Sequence, residues 1–162
     1  MSTEASAPIR VLFVCLGNIC RSPMAEAVFR NKVKQAGLQD RIVVDSAGTG
    51  DWHVGEPPHR GTRGILAQKG VSAEGMQARQ ITVRDLAQFD YVLTMDSDNL
   101  TAVRGMHHAP RATIRPLLEY APHLGIADVP DPYYTGGFAG VFDLLDAACN
   151  GLLAAIRRDH GL

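Results

Sequence analysis

Between Cys15 and Pro23 the chain reads Cys-Leu-Gly-Asn-Ile-Cys-Arg-Ser-Pro. A thiol and a guanidinium six residues apart, with Gly17, Asn18 and Ser22 around them, suit an oxyanion held against a nucleophile. A short loop entering a helix aims several backbone N–H groups into one concavity, and the helix dipole adds positive potential there. Gly17 can take backbone angles that a side chain would forbid. Arg21 offers a planar fork matched to two phosphate oxygens. Cys15, at the base of the cradle, has its thiolate favoured by the same field, and Ser22 is placed to donate a hydrogen bond to the sulfur.

This chemistry needs a strand before the loop and a helix after it, and the flanking residues supply both. Val11, Leu12, Phe13 and Val14 form a short, nearly continuous apolar run within Ile9–Cys15, as in a strand buried on both faces of a parallel sheet. Ser22-Pro23 reads as a helix start, with Ser at the N-cap and Pro at the first helical position. Ala25, Val28, Phe29, Val33 and Ala36 then recur at helical spacing, and Gly37 stops the helix. The alternation repeats. Ile42–Val44 make a second strand, ending in the turn-rich stretch 45–50. A helix is predicted over 60–69, a third strand over 89–95 and a short helix capped by Ser97-Asp98. A fourth strand follows over 112–117, with Pro116 near its end. The last segment places Phe138, Val141, Phe142, Leu145, Ala148, Cys149, Leu152 and Ile156 on one helical stripe. Alternating strands and helices mean an α/β class with a mostly parallel sheet, whose ligands bind at the carboxyl ends of the strands.

Composition narrows the function classes. The 162 residues fit one domain, expected over 9–162 behind a loose tail at 1–8. Sixteen Lys and Arg against seventeen Asp and Glu give a net charge of −1, which argues against a general nucleic-acid binder. No unbroken apolar run approaches the ~20 residues of a membrane span. Residues 1–8 lack the pattern of a secretory signal, and three cysteines are too few for a disulfide framework, so a cytoplasmic location is expected.

The loop, together with Met24-Ala25-Glu26 after it, resembles the phosphate loop of low-molecular-weight protein tyrosine phosphatases. Asp45-Ser46-Ala47-Gly48-Thr49, Ala78-Arg79-Gln80-Ile81, Phe89-Asp90-Tyr91 to Met95-Asp96 and Asp131-Pro132-Tyr133-Tyr134 follow in the family's order. The resemblance implies a four-stranded parallel sheet with helices on both faces, a flavodoxin/Rossmann-like phosphotyrosine phosphatase I fold. It also implies hydrolysis of phosphotyrosine and small aryl phosphates. By the same resemblance Cys15 is the nucleophile, Arg21 binds the phosphoryl oxygens and Asp131 is the general acid. Asn18, Ser22 and Ser46 match positions that support the loop.

Asp131 lies between Pro130 and Pro132 in a stiffened stretch, with Asp128 as its competitor. Trp52, Tyr133 and Tyr134 are candidates for the rim of an aromatic pocket, with Leu16 and Ile19 in its slot and Tyr133 open to a partly core role. Cys20 is expected to trap an oxidised Cys15 as a disulfide, making the enzyme redox-sensitive, whereas Cys149 reads as core.

Neither a metal nor another cofactor is called for, and most of His53, His59, His107, His108, His123 and His160 are expected on the solvated surface. The implied partners are phosphotyrosine-containing proteins, with inorganic phosphate and other oxyanions as inhibitors. Met76 stands where relatives often carry His, which puts in doubt a hydrogen-bond network through that position to Asp96.

Four rival readings remain to be weighed. An arsenate reductase needs two further cysteines on a mobile downstream segment, and only Cys149 follows Arg79. An arginine phosphatase tends to carry Thr where this chain has Ile19. A phosphotyrosine-binding module without turnover has no need of Cys15, Arg21 and Asp131 together. A redox switch protein rests on Cys15 and Cys20 alone.

Overall fold

The computed structural model describes residues 7–107 and 110–162. Four parallel strands, β1 (Ile9–Cys15), β2 (Ile42–Gly48), β3 (Tyr91–Thr94) and β4 (Thr113–Pro116), form one sheet in the order β2-β1-β3-β4. The order reverses at β1, so the crevice beyond its carboxyl end is where this topology leaves room for a ligand.

β1 is apolar on both faces because both faces are covered. Val11, Phe13 and Cys15 belong to one apolar cluster, Leu12 and Val14 to the other. The first cluster takes Met24, Phe29 and Val33 from α1 (Arg21–Gln35), Ile65 and Leu66 from α2 (Arg60–Gln68) and the expected stripe of α6 (Phe138–His160). The second takes Leu86 from α3 (Val83–Gln88) and Val103 from α4 (Ser97–Arg104). Helices on both faces of a parallel sheet are therefore the observed architecture.

Several boundaries differ from the sequence expectation. α1 begins at Arg21, its N-cap position is Cys20, and no side chain caps it. Ser22 is the second helical residue, and its hydroxyl turns to Cys15 instead of to the helix N–H groups. The stretch 45–48 is not a turn: it continues β2 in register with Leu12–Cys15, because pairing along the central strand overrides local turn preference. α4 is capped by Asp96, which forms a capping box with Asn99, and not by Ser97 or Asp98. Residues 89–90 and 95 fall outside β3, while Pro116 closes β4 as expected. Two short helices, α3 and α5 (Pro132–Thr135), were not expected. α6 is 23 residues long and passes the length and composition test for a membrane span. Asp143, Asp146 and Asn150 interrupt its apolar stretches, and the Val141–Ile156 stripe of this helix is buried in the core.

Two helical glycines should respond oppositely to Ala. At Gly151 a Cβ would stand 1.9 Å from the Tyr120 carbonyl oxygen, whereas at Gly64 it would meet nothing. Gly64→Ala should raise stability by about 0.5–1 kcal/mol, since Ala loses less backbone entropy in a helix. Gly151→Ala should lower it by about 1–3 kcal/mol through overpacking, and urea unfolding of both variants checks the opposite signs.

Candidate active site

The loop leaving β1 is shaped around Asn18, a non-glycine residue with positive φ (56°) among the described residues. Asn tolerates this left-handed conformation better than most residues, and here the side chain is held on every side. Asn18 Nδ2 donates to Ser22 Oγ (2.7 Å) and Ser46 Oγ (2.9 Å), while Asn18 Oδ1 accepts from the Arg79 N–H (3.0 Å). The Asn18 N–H in turn points at Cys15 Sγ (3.2 Å), and Ser22 Oγ lies 3.0 Å from the same sulfur. Since Ser22 already accepts from Asn18, its own proton is free for the sulfur at 3.0 Å or, farther off, the Ala47 carbonyl at 3.5 Å. Beneath Ser46 a buried carboxylate, Glu26, accepts its hydroxyl proton at 2.6 Å and pairs with Arg30. Burial raises the Glu26 pKa against the opposing pull of Ser46 and Arg30.

Arg21, in the first turn of α1, is 2% exposed. A buried guanidinium must be paired, and this one is. Its Nη1 donates to Asp96 Oδ2 (2.7 Å) and to the Val129 carbonyl (2.9 Å), and its Nη2 reaches Asp131 Oδ2 (3.4 Å). Burial would lower its pKa, but the facing Cys15, Asp96 and Asp131 outweigh that and raise it. Nε is buried with no partner, which leaves one edge of the fork to meet an oxyanion above Cys15. Asp96 is fixed in turn by its cap on α4, through Asn99 N (2.8 Å).

The cavity over this cradle measures about 390 Å³. Cys15, Leu16, Gly17, Ile19, Cys20 and Arg21 form its floor, and Trp52, His53, Asp131, Tyr133 and Tyr134 its walls. Every residue expected in the loop and rim is therefore brought together here, with Asn18, Ser22 and Ser46 as supports behind the floor. Asp131 caps α5 by accepting from the Tyr133 N–H (3.1 Å), so one carboxylate oxygen is tethered and the other faces Arg21. Its stretch is anchored by Val129, whose N–H donates to Met95 O (2.7 Å). Asp128 is exposed and does not line the cavity. The two loop thiols differ. Cys20 is pushed up to about 12, chiefly by burial and then by the charges of Cys15 and Asp131, which Arg21 only partly offsets. Cys149 is fully buried in the core, as expected, and burial raises its pKa as well.

The rim holds Trp52 (68% exposed), Tyr134 (72%) and Tyr133 (48%), so Tyr133 is a wall residue and not core. Tyr133 stands between two imidazoles, with ring centroids 6.0 Å from His53 and 5.8 Å from His59. Both histidines are half-buried, whereas His107, His123 and His160 lie on the exposed surface as expected of most of the set. His53 packs over Gly17, where a Cβ would lie 3.0 Å from the ring, and bonds Glu56 through Nδ1 (3.1 Å). His59 accepts from the Gly61 N–H at the start of α2 and stacks on Phe138 at 5.1 Å. His160 is tied to the Tyr91 hydroxyl (3.0 Å), His107 and His123 are exposed, and His108 lies outside the described residues. Met76 packs against the apolar cluster under α1, while Asp96 directs its carboxylate to Arg21 and the α4 cap. Of these residues His53 had no sequence signal beyond following Trp52, and Val129 had none.

A family model for low molecular weight phosphotyrosine protein phosphatases matches residues 10–161. A low molecular weight protein-tyrosine-phosphatase of Bacillus subtilis (strain 168), YfkJ, is 50% identical over 155 residues, 95% of this chain and 99% of that one. The crystal structure of YfkJ superposes with a TM-score of 0.93 at 49% identity, covering 96% of this chain and 98% of that one. A drosophila arginine phosphatase, DARP, superposes with a TM-score of 0.87 at 34% identity, over 92% and 98%.

At neutral pH a haloacetamide should alkylate Cys15 and spare Cys20 and Cys149, because Cys15 lines the cavity with the Asn18 N–H donating to its sulfur and the Ser22 hydroxyl 3.0 Å away, while burial raises the pKa of the other two thiols. Peptide mapping of the labelled chain checks this, and equal labelling of Cys20 would contradict it.

Proposed function

The chain belongs to the low molecular weight protein-tyrosine-phosphatase family and is such a phosphatase, and from that premise we propose that it hydrolyses phosphotyrosine in proteins, and small aryl phosphates, through a phosphocysteine at residue 15. The reading is carried by the buried sulfur of Cys15 and the buried fork of Arg21 on the same cavity floor, at the start of α1. Three phosphoryl oxygens placed over Cys15 would meet the N–H groups of the loop and the Nε–Nη2 edge of Arg21. Sγ attacks phosphorus as the bond to the tyrosyl oxygen breaks. The departing phenoxide takes a proton from Asp131, whose carboxyl faces the cavity. Asp131, now a carboxylate, takes a proton from water as that water attacks phosphorus. The S–P bond breaks, inorganic phosphate forms and the thiolate returns. Ser22, donating to the sulfur, stabilises it as a leaving group in this second step. Inorganic phosphate and like oxyanions should compete for the same cradle.

Aromatic walls favour an aryl ester. Trp52, Tyr133 and Tyr134 stand above the floor, and a phosphate on a short serine side chain would leave them untouched. Ile19 presents an apolar branched side chain in the slot, which suits a phenyl ring better than a charged guanidino group. Under peroxide, a sulfenic acid formed on Cys15 would condense with the Cys20 thiol, releasing water and closing a disulfide. Burial of Cys20 slows this step, because the thiolate is the attacking form.

Turnover of phosphotyrosine, phosphoserine and phosphoarginine peptides tests the substrate class, and phosphotyrosine should be preferred over both. Cys15→Ser should bring hydrolysis to background. Asp131→Ala should lower kcat on phosphotyrosine peptide about 10²-fold, and lower it much less on p-nitrophenyl phosphate, whose leaving group needs no proton. Equal losses on the two substrates would move the acid role to another residue, and preference for phosphoarginine would overturn the substrate assignment.

A further inference from the structure

The stretch 78–81, the Ala-Arg-Gln-Ile motif, touches three parts of the site without lining the cavity. It pairs with the end of β2, Gly48 N donating to Arg79 O (2.8 Å) and Ile81 N to Gly48 O (2.8 Å). It also holds the rim stretch, through Ala78 N to Glu56 O (2.9 Å) and Gly55 N to Ala78 O (2.9 Å). Its third contact is the Arg79 N–H on Asn18 Oδ1. The Arg79 guanidinium is clamped from two elements. Nη1 and Nη2 fork onto Asp85 of α3 (2.9 and 3.1 Å), and Nε donates to Asp45 of β2 (3.1 Å).

This contact decides a direction. An asparagine amide fits its site either way round, and its neighbours choose the orientation. With an N–H facing Oδ1, Nδ2 must supply both donors, to Ser46 and to Ser22. At the far end Glu26 accepts from Ser46, so the chain runs with one polarity from the Arg79 amide to the buried carboxylate. Ser22, accepting from Asn18, has its proton left for Cys15 Sγ at 3.0 Å or the Ala47 carbonyl at 3.5 Å, and the sulfur is the nearer of the two. If the Arg79 N–H moved away, the amide would be free to turn over and Ser22 would lose the donor that frees its proton.

We propose that Arg79 is a positioning residue: its clamped side chain holds its own backbone N–H on Asn18, and so sets the direction of the hydrogen bonds that end on the Cys15 sulfur. The inference rests on the reading of Cys15 as nucleophile, and it makes no contact with substrate. The full-length chain tests it with Arg79→Ala, Arg79→Lys, Asn18→Ala and the double variant Arg79→Ala/Asn18→Ala. Two readouts serve: steady-state hydrolysis of p-nitrophenyl phosphate, and the rate of haloacetamide alkylation of Cys15 at mildly acidic pH.

Arg79→Ala should lower kcat/KM by about tenfold to a hundredfold and slow the alkylation. Arg79→Lys should recover part of both losses, since an ammonium meets one carboxylate where the fork meets two. In the Asn18→Ala background, Arg79→Ala should add less than about a twofold further loss, because both act through one path. A fall in melting temperature with alkylation and kcat unchanged would overturn the proposal, as would losses that multiply in the double variant. If Arg79→Ala fails to fold, Arg79→Lys is compared in the two backgrounds by the same criteria. Alkylation reads the sulfur directly, so absence of phosphatase activity in the unsubstituted chain would sink the proposed function while the Arg79 comparison still returned its own answer.

Discussion

A guanidinium and a sulfur meet in a buried corner at the first turn of α1, and the rest of the molecule is arranged so that both tolerate burial. An unpaired charge there would cost several kcal/mol, on the order of what breaking a buried ion pair costs. Arg21 avoids this through Asp96 on one side and the Val129 carbonyl and Asp131 on the other, from two stretches of the chain far from its own helix. Each partner is fixed for a second reason. Asp96 caps α4, Asp131 caps α5, and Val129 is hydrogen-bonded to Met95 at the end of β3. The guanidinium is thus held in place before any substrate arrives, with Nε left unpaired. Preorganised charge of this kind needs no rearrangement as the reaction proceeds.

The parallel sheet makes that convergence possible. All four strands end on one edge, so the loop after β1, the Ser46–Gly48 end of β2 and the Met95–Asp96 turn after β3 arrive side by side. Gly48 shows how close the approach is: a Cβ would stand 2.8 Å from the Leu16 carbonyl oxygen. The positive φ of Asn18 is the local cost of aiming the loop N–H groups inward, and hydrogen bonds to Ser22, Ser46 and the Arg79 amide offset it. An uncapped α1 fits the same design, since a side chain on its first N–H groups would compete with an anion.

Much of this was open to reading in the residues, for identifiable reasons. β1 and the α6 stripe announce themselves because continuous burial of a strand and one-sided burial of a long helix leave strong apolar patterns. The loop between β1 and α1 carries its chemistry in consecutive residues. What escaped depends on contacts distant in the chain or on elements too short to have a period. Arg21 and Asp96 are 75 residues apart, and nothing in their spacing joins them. α3 and α5 have six and four residues and stand on caps, the Thr82–Asp85 box and Asp131, rather than on an apolar stripe. Residues 45–48 have turn composition but are drawn into β2 by the central strand. His53 and His59 looked like surface residues because their burial comes from Gly17, Tyr133 and Phe138, each supplied by another part of the chain.

Above the floor, charge gives way to rings, and the change in chemistry from bottom to top matches an aryl phosphate entering phosphate first. Everything then turns on whether phosphorus is transferred to the sulfur. Rapid acid quench of the full-length chain during turnover of an aryl phosphate, followed by mass spectrometry of the peptide containing residues 15–21, measures this directly. The account predicts one phosphoryl group on Cys15 Sγ, formed and lost at rates consistent with turnover. Full turnover with no phosphorylated peptide, or with the phosphoryl group on another side chain, would contradict it.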